Sequence, residues 1–235
     1  MDSYTAKLIK EQQQSSAYIQ TNDLKNRFLR PFASTVVVDD FYDDPDLVRE
    51  FALGLEFFKG DRGSWPGVRT ELLHRVDYDF FSVFSKKILE VLKQNDYTEI
   101  IELQTGFQSI DETYGRGWVH DDDPKLNMAG IIYLNPGEVP NGSGTTIYND
   151  APDFNGERYS EMFMNDVLVA SPEERTAFAK YREEQISYFT PNTIVDNVYN
   201  RLVMFDSRCW HSADNFFGKD KYDARLTQVF FIKAR

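Results

Sequence analysis

Residues 117–125, GWVHDDDPK, place His120 directly ahead of three aspartates. In an extended chain, side chains at i and i+2 share a face, so His120 and Asp122 aim together while Asp121 points away. An imidazole and a carboxylate then make two ligands for a divalent metal, and a third must come from elsewhere. Only three histidines are available. His74, in ELLHRVDYDF, has no second donor at useful spacing and reads as a satisfied or exposed side chain. His211 lies 91 positions after His120, at the end of the strand-like run RLVMFDSRCWHSA. Two histidines and one carboxylate on one side of a metal, with the opposite positions open, form the donor set of non-haem Fe(II) oxygenases. Asp121 and Asp123 read as solvated rather than as groups steering His120.

The C-terminal run RLTQVFFI adds a second piece of chemistry. Period-2 alternation puts Arg225, Thr227, Val229 and Phe231 on one face, a guanidinium and a hydroxyl beside an apolar surface. A cation facing such a surface needs an anion, since leaving it unpaired costs roughly several kcal/mol. A dicarboxylate cosubstrate supplies one, and arginine reads a carboxylate through two parallel hydrogen bonds.

The elements that must position these residues are legible in outline. STVVVDDFY is a β-branched strand, and DDPDLVREFALGLEFF follows it as a helix entered through Asp and Pro. DRGSWPGVRT, residues 61–70, reads as a Gly- and Pro-punctuated loop placed to lie over a site; packing is the preferred reading of its Trp65 and Arg69. DFFSVFSKKILEVLKQ returns to helical period, with Phe80, Phe84, Ile88 and Leu92 on one face. From about residue 98, short β-like runs bounded by turn residues follow: EIIELQTGFQSI, GWVHDD, MAGIIYLNP, GTTIYND, TIVDNVYN, RLVMFDSRCWHSA and RLTQVFFIKA. They predict a β-sandwich or jelly roll, mainly β with flanking helices drawn chiefly from the N-terminal third. One helix interrupts the strands at 171–189, opening Ser-Pro-Glu-Glu. Residues 1–30 read as a polar arm or helix. The expectation is one domain over 1–235, with 1–95 supporting a core at 96–235.

The combination resembles the 2-oxoglutarate and Fe(II)-dependent dioxygenases, and within them the prolyl-4-hydroxylase-like branch. IIYLNP after the His-x-Asp, then GSGTTIY, then NVYNRLVMFDSRCWHSADN, carry the likeness over roughly residues 100–235. The resemblance implies a double-stranded β-helix (jelly-roll) core, with His120, Asp122 and His211 as iron ligands. It implies Arg225 on the distal carboxylate of 2-oxoglutarate, with Thr227 assisting and Tyr133 hydrogen-bonding the same cosubstrate. Arg201 and Arg208 are rival cations, but both precede the distal histidine, and the family's basic residue follows it. The implied reaction consumes O2, turns 2-oxoglutarate into succinate and CO2, and hydroxylates a C–H bond of a protein side chain or small molecule. Asp122, lost in related halogenases to make room for halide, favours hydroxylation. Cys209 shares a face with His211 and reads as a core thiol.

Composition narrows the partners. A net charge of −12 without a Lys/Arg stripe argues against nucleic acid and anionic membranes. One cysteine permits no intramolecular disulfide, and the start MDSYTAKLIKEQQQSSAYIQ has no apolar leader core, so a soluble, cytoplasmic chain is expected. Two other classes use the same pieces: a zinc hydrolase on the same three ligands, which gives Arg225 and Thr227 no joint role, and a non-catalytic β-sandwich binding module.

Overall fold

Ten strands and five helices are seen in a computed structural model that describes residues 32–59, 65–123 and 125–235. The arm expected for residues 1–30 and part of the 61–70 loop lie outside the described residues. The strands are β1 (Val36–Val38), β2 (Phe57–Lys59), β3 (Val68–Thr70), β4 (Ile100–Ile110), β5 (Met128–Tyr133), β6 (Thr145–Tyr148), β7 (Pro191–Val195), β8 (Leu202–Asp206), β9 (His211–Ala213) and β10 (Arg225–Ala234). Seven of them form one sheet in the order β1-β8-β5-β10-β4-β3-β2, and β7-β6-β9 form a second. All the pairings are antiparallel. The sheets face each other, since Ala129, Tyr133, Val203 and Phe205 of the large one share a buried cluster with Ile147 and Val195 of the small one. The fold is therefore mainly β, as the short alternating runs indicate.

Helices α1 (Pro45–Gly54), α2 (Leu73–Val76) and α3 (Tyr78–Leu92) cover the other face of the large sheet. Asp44 caps α1 by accepting from Leu47 N–H at 3.0 Å, with Pro45 in the first turn, where its missing N–H leaves no helical bond unmade. Asp77 caps α3 in the same way through Phe80 N–H. On α3, Phe84, Ile88 and Leu92 are fully buried against Leu226, Phe230 and Ile232, the β10 residues that alternate with the Arg225 face. Each such side chain contributes about 1.5–3 kcal/mol by leaving water. This packing fixes the orientation of β10, and with it the direction in which Arg225 and Thr227 point.

The structure differs from the sequence expectation at five places. The first helix stops at Gly54, and Phe57–Lys59 of the expected helical run becomes β2. Val68–Thr70, read as loop, is β3, held between β2 and β4. GWVHDD is not a strand: only His120 makes a single bridge, to His211. RLVMFDSRCWHSA splits into β8 and β9 in different sheets, because the chain turns at Ser207–Trp210, so His211 begins a strand rather than ending one. Between β6 and β7 stand two helices, not one: α4 (Gly156–Met164), which runs on into a π-helical turn at Asn165–Val169, and α5 (Pro172–Ile186), which carries the expected Ser171/Glu174 capping box. Among the described residues, no helix is long and apolar enough to cross a membrane.

Candidate functional site

His120, Asp122 and His211 come together with their ligand atoms all within 4.8 Å of one another. His120 and His211 exchange backbone hydrogen bonds of 3.0 and 2.8 Å, which sets their rings side by side with centroids 4.3 Å apart. Asp122 is held from the other direction, its N–H donating to Ser207 O at 2.8 Å in the β8–β9 turn. Its Oδ2 lies 3.6 Å from His211 Nε2. Each histidine Nδ1 lies 2.9 Å from a carbonyl oxygen two residues earlier, Trp118 O for His120 and Cys209 O for His211. A carbonyl can only accept, so each Nδ1 carries the proton and each Nε2 offers its lone pair. Burial, with His120 beside it, keeps the His211 imidazole neutral well below its ordinary range. Burial raises the Asp122 carboxyl, while the neighbouring His120 and the Arg69 charge pull it back. Two imidazole nitrogens and a carboxylate are the donor types a borderline divalent metal takes.

The ligands line a cavity of about 840 Å³, whose floor is the inner face of β4, β10 and β5. Arg225, Val229 and Phe231 all face it, as period-2 alternation requires. In register, Thr227 sits opposite Tyr133 on β5 and Gln108 on β4, so the three share one row. Arg225 is 3% exposed, and its Nε and Nη2 donate to Ser143 O and Gly144 O at 3.1 and 3.3 Å. Gly144 lets β7 pass close to this segment, because a Cβ there would sit 2.0 Å from Val195 O. Among the described residues no carboxylate lies within salt-bridge distance of Arg225, although the Asp214 charge acts on it, and the Tyr133 and Phe216 ring centroids lie 5.4 and 5.9 Å from its guanidinium carbon. Burial depresses the guanidinium and raises the Tyr133 phenol, each opposed by the other. Tyr133 donates to Thr145 Oγ1 at 2.8 Å, whereas the Thr227 hydroxyl is fully buried without a partner. A buried guanidinium with no carboxylate in contact, beside an orphaned hydroxyl, is an arrangement that an incoming anion can complete.

The rival cations are engaged elsewhere: Arg201 pairs with Asp39 and Arg208 with Asp206. His74 stacks edge-on with Phe81, away from the metal ligands. Cys209 packs in the cluster between the sheets. Four further residues contribute to the site, and Gln185 and Asp166 among them were not anticipated. Trp65 and Arg69, read as packing residues, line the cavity, so the N-terminal third does supply site residues. Gln185 on α5 binds both backbone groups of Val119, accepting from its N–H at 2.8 Å and donating to its C=O at 2.9 Å. That amide satisfies the backbone edge of Val119 that faces away from β9. Asp166, in the π-helical turn, accepts from Trp118 Nε1 at 2.7 Å and from Arg182, all of them buried.

Solved oxygenases share this fold. A prolyl-4-hydroxylase of Pseudomonas putida aligns at a TM-score of 0.51 and 15% identity over 86% of this chain and 94% of that one. A prolyl hydroxylase of Trichoplax adhaerens, solved with a hypoxia inducible factor oxygen degradation domain peptide fragment, aligns at 0.52 and 11% identity over 99% and 94%. HygX of Streptomyces hygroscopicus, solved with nickel and 2-oxoglutarate bound, aligns at 0.52 and 11% identity over 86% and 83%. By sequence, no curated protein matches. The profile of the family described as "Family of unknown function (DUF6445)" spans residues 25–232, and the chain belongs to that family.

Proposed function

We propose that this protein is a 2-oxoglutarate- and Fe(II)-dependent dioxygenase that hydroxylates a C–H bond, on a jelly-roll core formed by the two facing sheets. In this reading, residues 96–235 carry the core and the earlier residues support it. The observation that carries the proposal is the joint placement of the His120–Asp122–His211 cluster and Arg225 on one cavity, with the orphaned Thr227 hydroxyl two residues along the same strand face. A zinc hydrolase needs the first and leaves the second without a role.

His120, Asp122 and His211 would hold the iron, and Arg225 the far carboxylate of 2-oxoglutarate, with Thr227 and Tyr133 beside it. When bound, iron and cosubstrate supply the oxidising chemistry, with O2 consumed and succinate and CO2 released. The chain's own work is positioning. Trp118 O and Cys209 O fix the imidazole tautomers, and the Ser207 carbonyl fixes the Asp122 backbone. Arg225 and the Thr227 hydroxyl orient an anion without reorganising, since both are already locked in a packed strand. Aromatic side chains such as Trp118, Tyr159, Phe163 and Trp210 give the cavity an apolar wall beside the proposed metal ligands.

The test is an anaerobic titration with Fe(II) and 2-oxoglutarate, followed by admission of O2 and a succinate assay. A weak visible band at about 500 nm, with succinate released after O2, is the expected result. Bound metal with neither band nor succinate overturns the proposal in favour of a hydrolase or a binding module.

A further inference from the structure

Three arginines line the cavity; Arg116 pairs with Glu183, and Arg69 has no role in holding the metal or the cosubstrate. β3 pairs with β4 so that Arg69 lies opposite Gln108, which lies opposite Thr227, which lies opposite Tyr133. The row thus runs across four strands, with Arg69 at one end and the cosubstrate residues at the other. Arg69 Nη2 donates to Gln108 Oε1 at 3.2 Å, and its guanidinium carbon lies 4.7 Å from the Trp65 ring centroid and 5.7 Å from that of Phe231. Among the described residues, no carboxylate lies within salt-bridge distance of it. Its Nε–H and the neighbouring Trp65 Nε1–H are both shielded from solvent and have no acceptor. Burial brings the guanidinium down to about 10, so it stays charged at neutral pH. Two adjacent unpaired donors, one of them cationic and both on stacked cavity-lining side chains, define a site for an acceptor carrying negative charge.

We infer that the primary substrate is a small-molecule carboxylic acid with an apolar body, its carboxylate taken by Arg69 and Trp65 at the β3 end of the cavity; this rests on the dioxygenase reading of the metal centre. Strand spacings put the Arg69 and Arg225 backbones about 12 Å apart, so two separate acids can be held at once. The apolar body follows from the rest of the wall, where Trp118, Phe154, Tyr159, Phe163 and Trp210 line the same cavity. A small molecule, rather than a protein segment, follows from the volume, which lies within the roughly 300–1,000 Å³ of small-ligand pockets, and from the burial of Trp118, Tyr159 and Val167 beneath α4 and α5. The Arg69 charge also reaches Asp122, so the competing assignment is a residue that only supports that metal ligand.

The experiment loads the protein with Ni(II), saturates it with 2-oxoglutarate, and measures by calorimetry the affinity for phenylacetate and cinnamate against their neutral amides. Each acid is expected to bind at least about tenfold more tightly than its amide, a difference lost in Arg69→Gln and partly kept in Arg69→Lys, with 2-oxoglutarate affinity unchanged in both. Equal binding of acid and amide, no binding of either, or discrimination that survives Arg69→Gln overturns the inference. A fall in Ni(II) affinity in Arg69→Gln with acid–amide discrimination intact assigns Arg69 to the support of Asp122 instead. If 2-oxoglutarate fails to bind at all, the dioxygenase reading falls. The same acid–amide comparison in metal-free Arg225→Ala protein, where Arg69 is the remaining unpaired guanidinium on the cavity, then decides the Arg69 site separately.

Discussion

At the floor of the cavity and just behind it, Arg225, Thr227 and Tyr133 stand where strand register puts them, and α3 packing behind β10 leaves Arg225 and Thr227 no other direction to point. On the roof, formed by residues between β6 and β7, nothing is held by register. There, the Gln185 amide grips the Val119 backbone, and Asp166 gathers Trp118 and Arg182 beneath the helices. The two histidines proposed as metal ligands are divided in the same way. His211 opens a strand of the small sheet, whereas His120 belongs to a segment bridged at one residue, tied at Gly117 and Asp122 to Ala213 and Ser207, and gripped at Val119 by the roof. Chemistry that depends on alternation can thus sit on one wall, while the opposite wall is free to change its side chains so long as it keeps hold of residues 118–120.

If the metal ligands act as a unit across this divide, His120→Ala and Asp122→Ala each abolish succinate formation, a loss of at least about a thousandfold. His120 is exposed, so its variant should melt within about 2 °C of the parent. Retained turnover in either variant removes the assignment. The next largest effect belongs to the roof. Asp166→Ala strands the buried Arg182 guanidinium and the Trp118 N–H, at a cost of about 3–5 kcal/mol, which is a fall of about 10 °C in melting temperature. A loss below about 1 kcal/mol would show that the roof is not a rigid clamp. On the floor, Arg225→Ala removes charge-assisted hydrogen bonds worth about 1.5–3 kcal/mol, so the 2-oxoglutarate requirement should rise about ten- to a hundredfold with metal affinity unchanged. An unchanged requirement places the cosubstrate carboxylate elsewhere.

The contrast also explains what could be read in advance. β10 was legible because both its faces are informative: Leu226, Phe230 and Ile232 face the helices, and Arg225 and Thr227 interrupt an otherwise apolar opposite face. The His120–Asp122 pairing was read correctly for a partly wrong reason, since the segment is not a strand and Asp122 is aimed by its bond to Ser207. Helix α4 was overlooked although Tyr159, Phe163 and Val167 recur at helical spacing after the Asn155 cap. The role of α5 was not legible at all. Its buried positions include Arg175, Arg182 and Gln185, so a search for an apolar stripe reads the inward face as solvent-facing. β3 was hidden for another reason: a three-residue strand has no measurable alternation, and Arg69 owes its place to a pairing with Gln108, 39 positions away.

Gln185→Ala tests the division most finely. The variant leaves the buried N–H and C=O of Val119 without partners, which costs about 1–3 kcal/mol, less whatever a water admitted to the gap restores. Because Val119 adjoins His120, the loss should appear both as a melting temperature lower by a few degrees and as metal affinity lowered by up to about tenfold. Gln185→Glu keeps the acceptor for the Val119 N–H but faces its carbonyl with a carboxylate, so it should do no better. Neither variant should move 2-oxoglutarate affinity at fixed metal occupancy, since Arg225, Thr227 and Tyr133 are held from the other side. The decisive form of the measurement is a double-mutant cycle with Arg225→Ala, read as metal and cosubstrate affinities together. Sites that share no partner add within about 0.3–0.5 kcal/mol; a coupling larger than that would mean that the roof reaches the cosubstrate end of the cavity, and that floor and roof are one device.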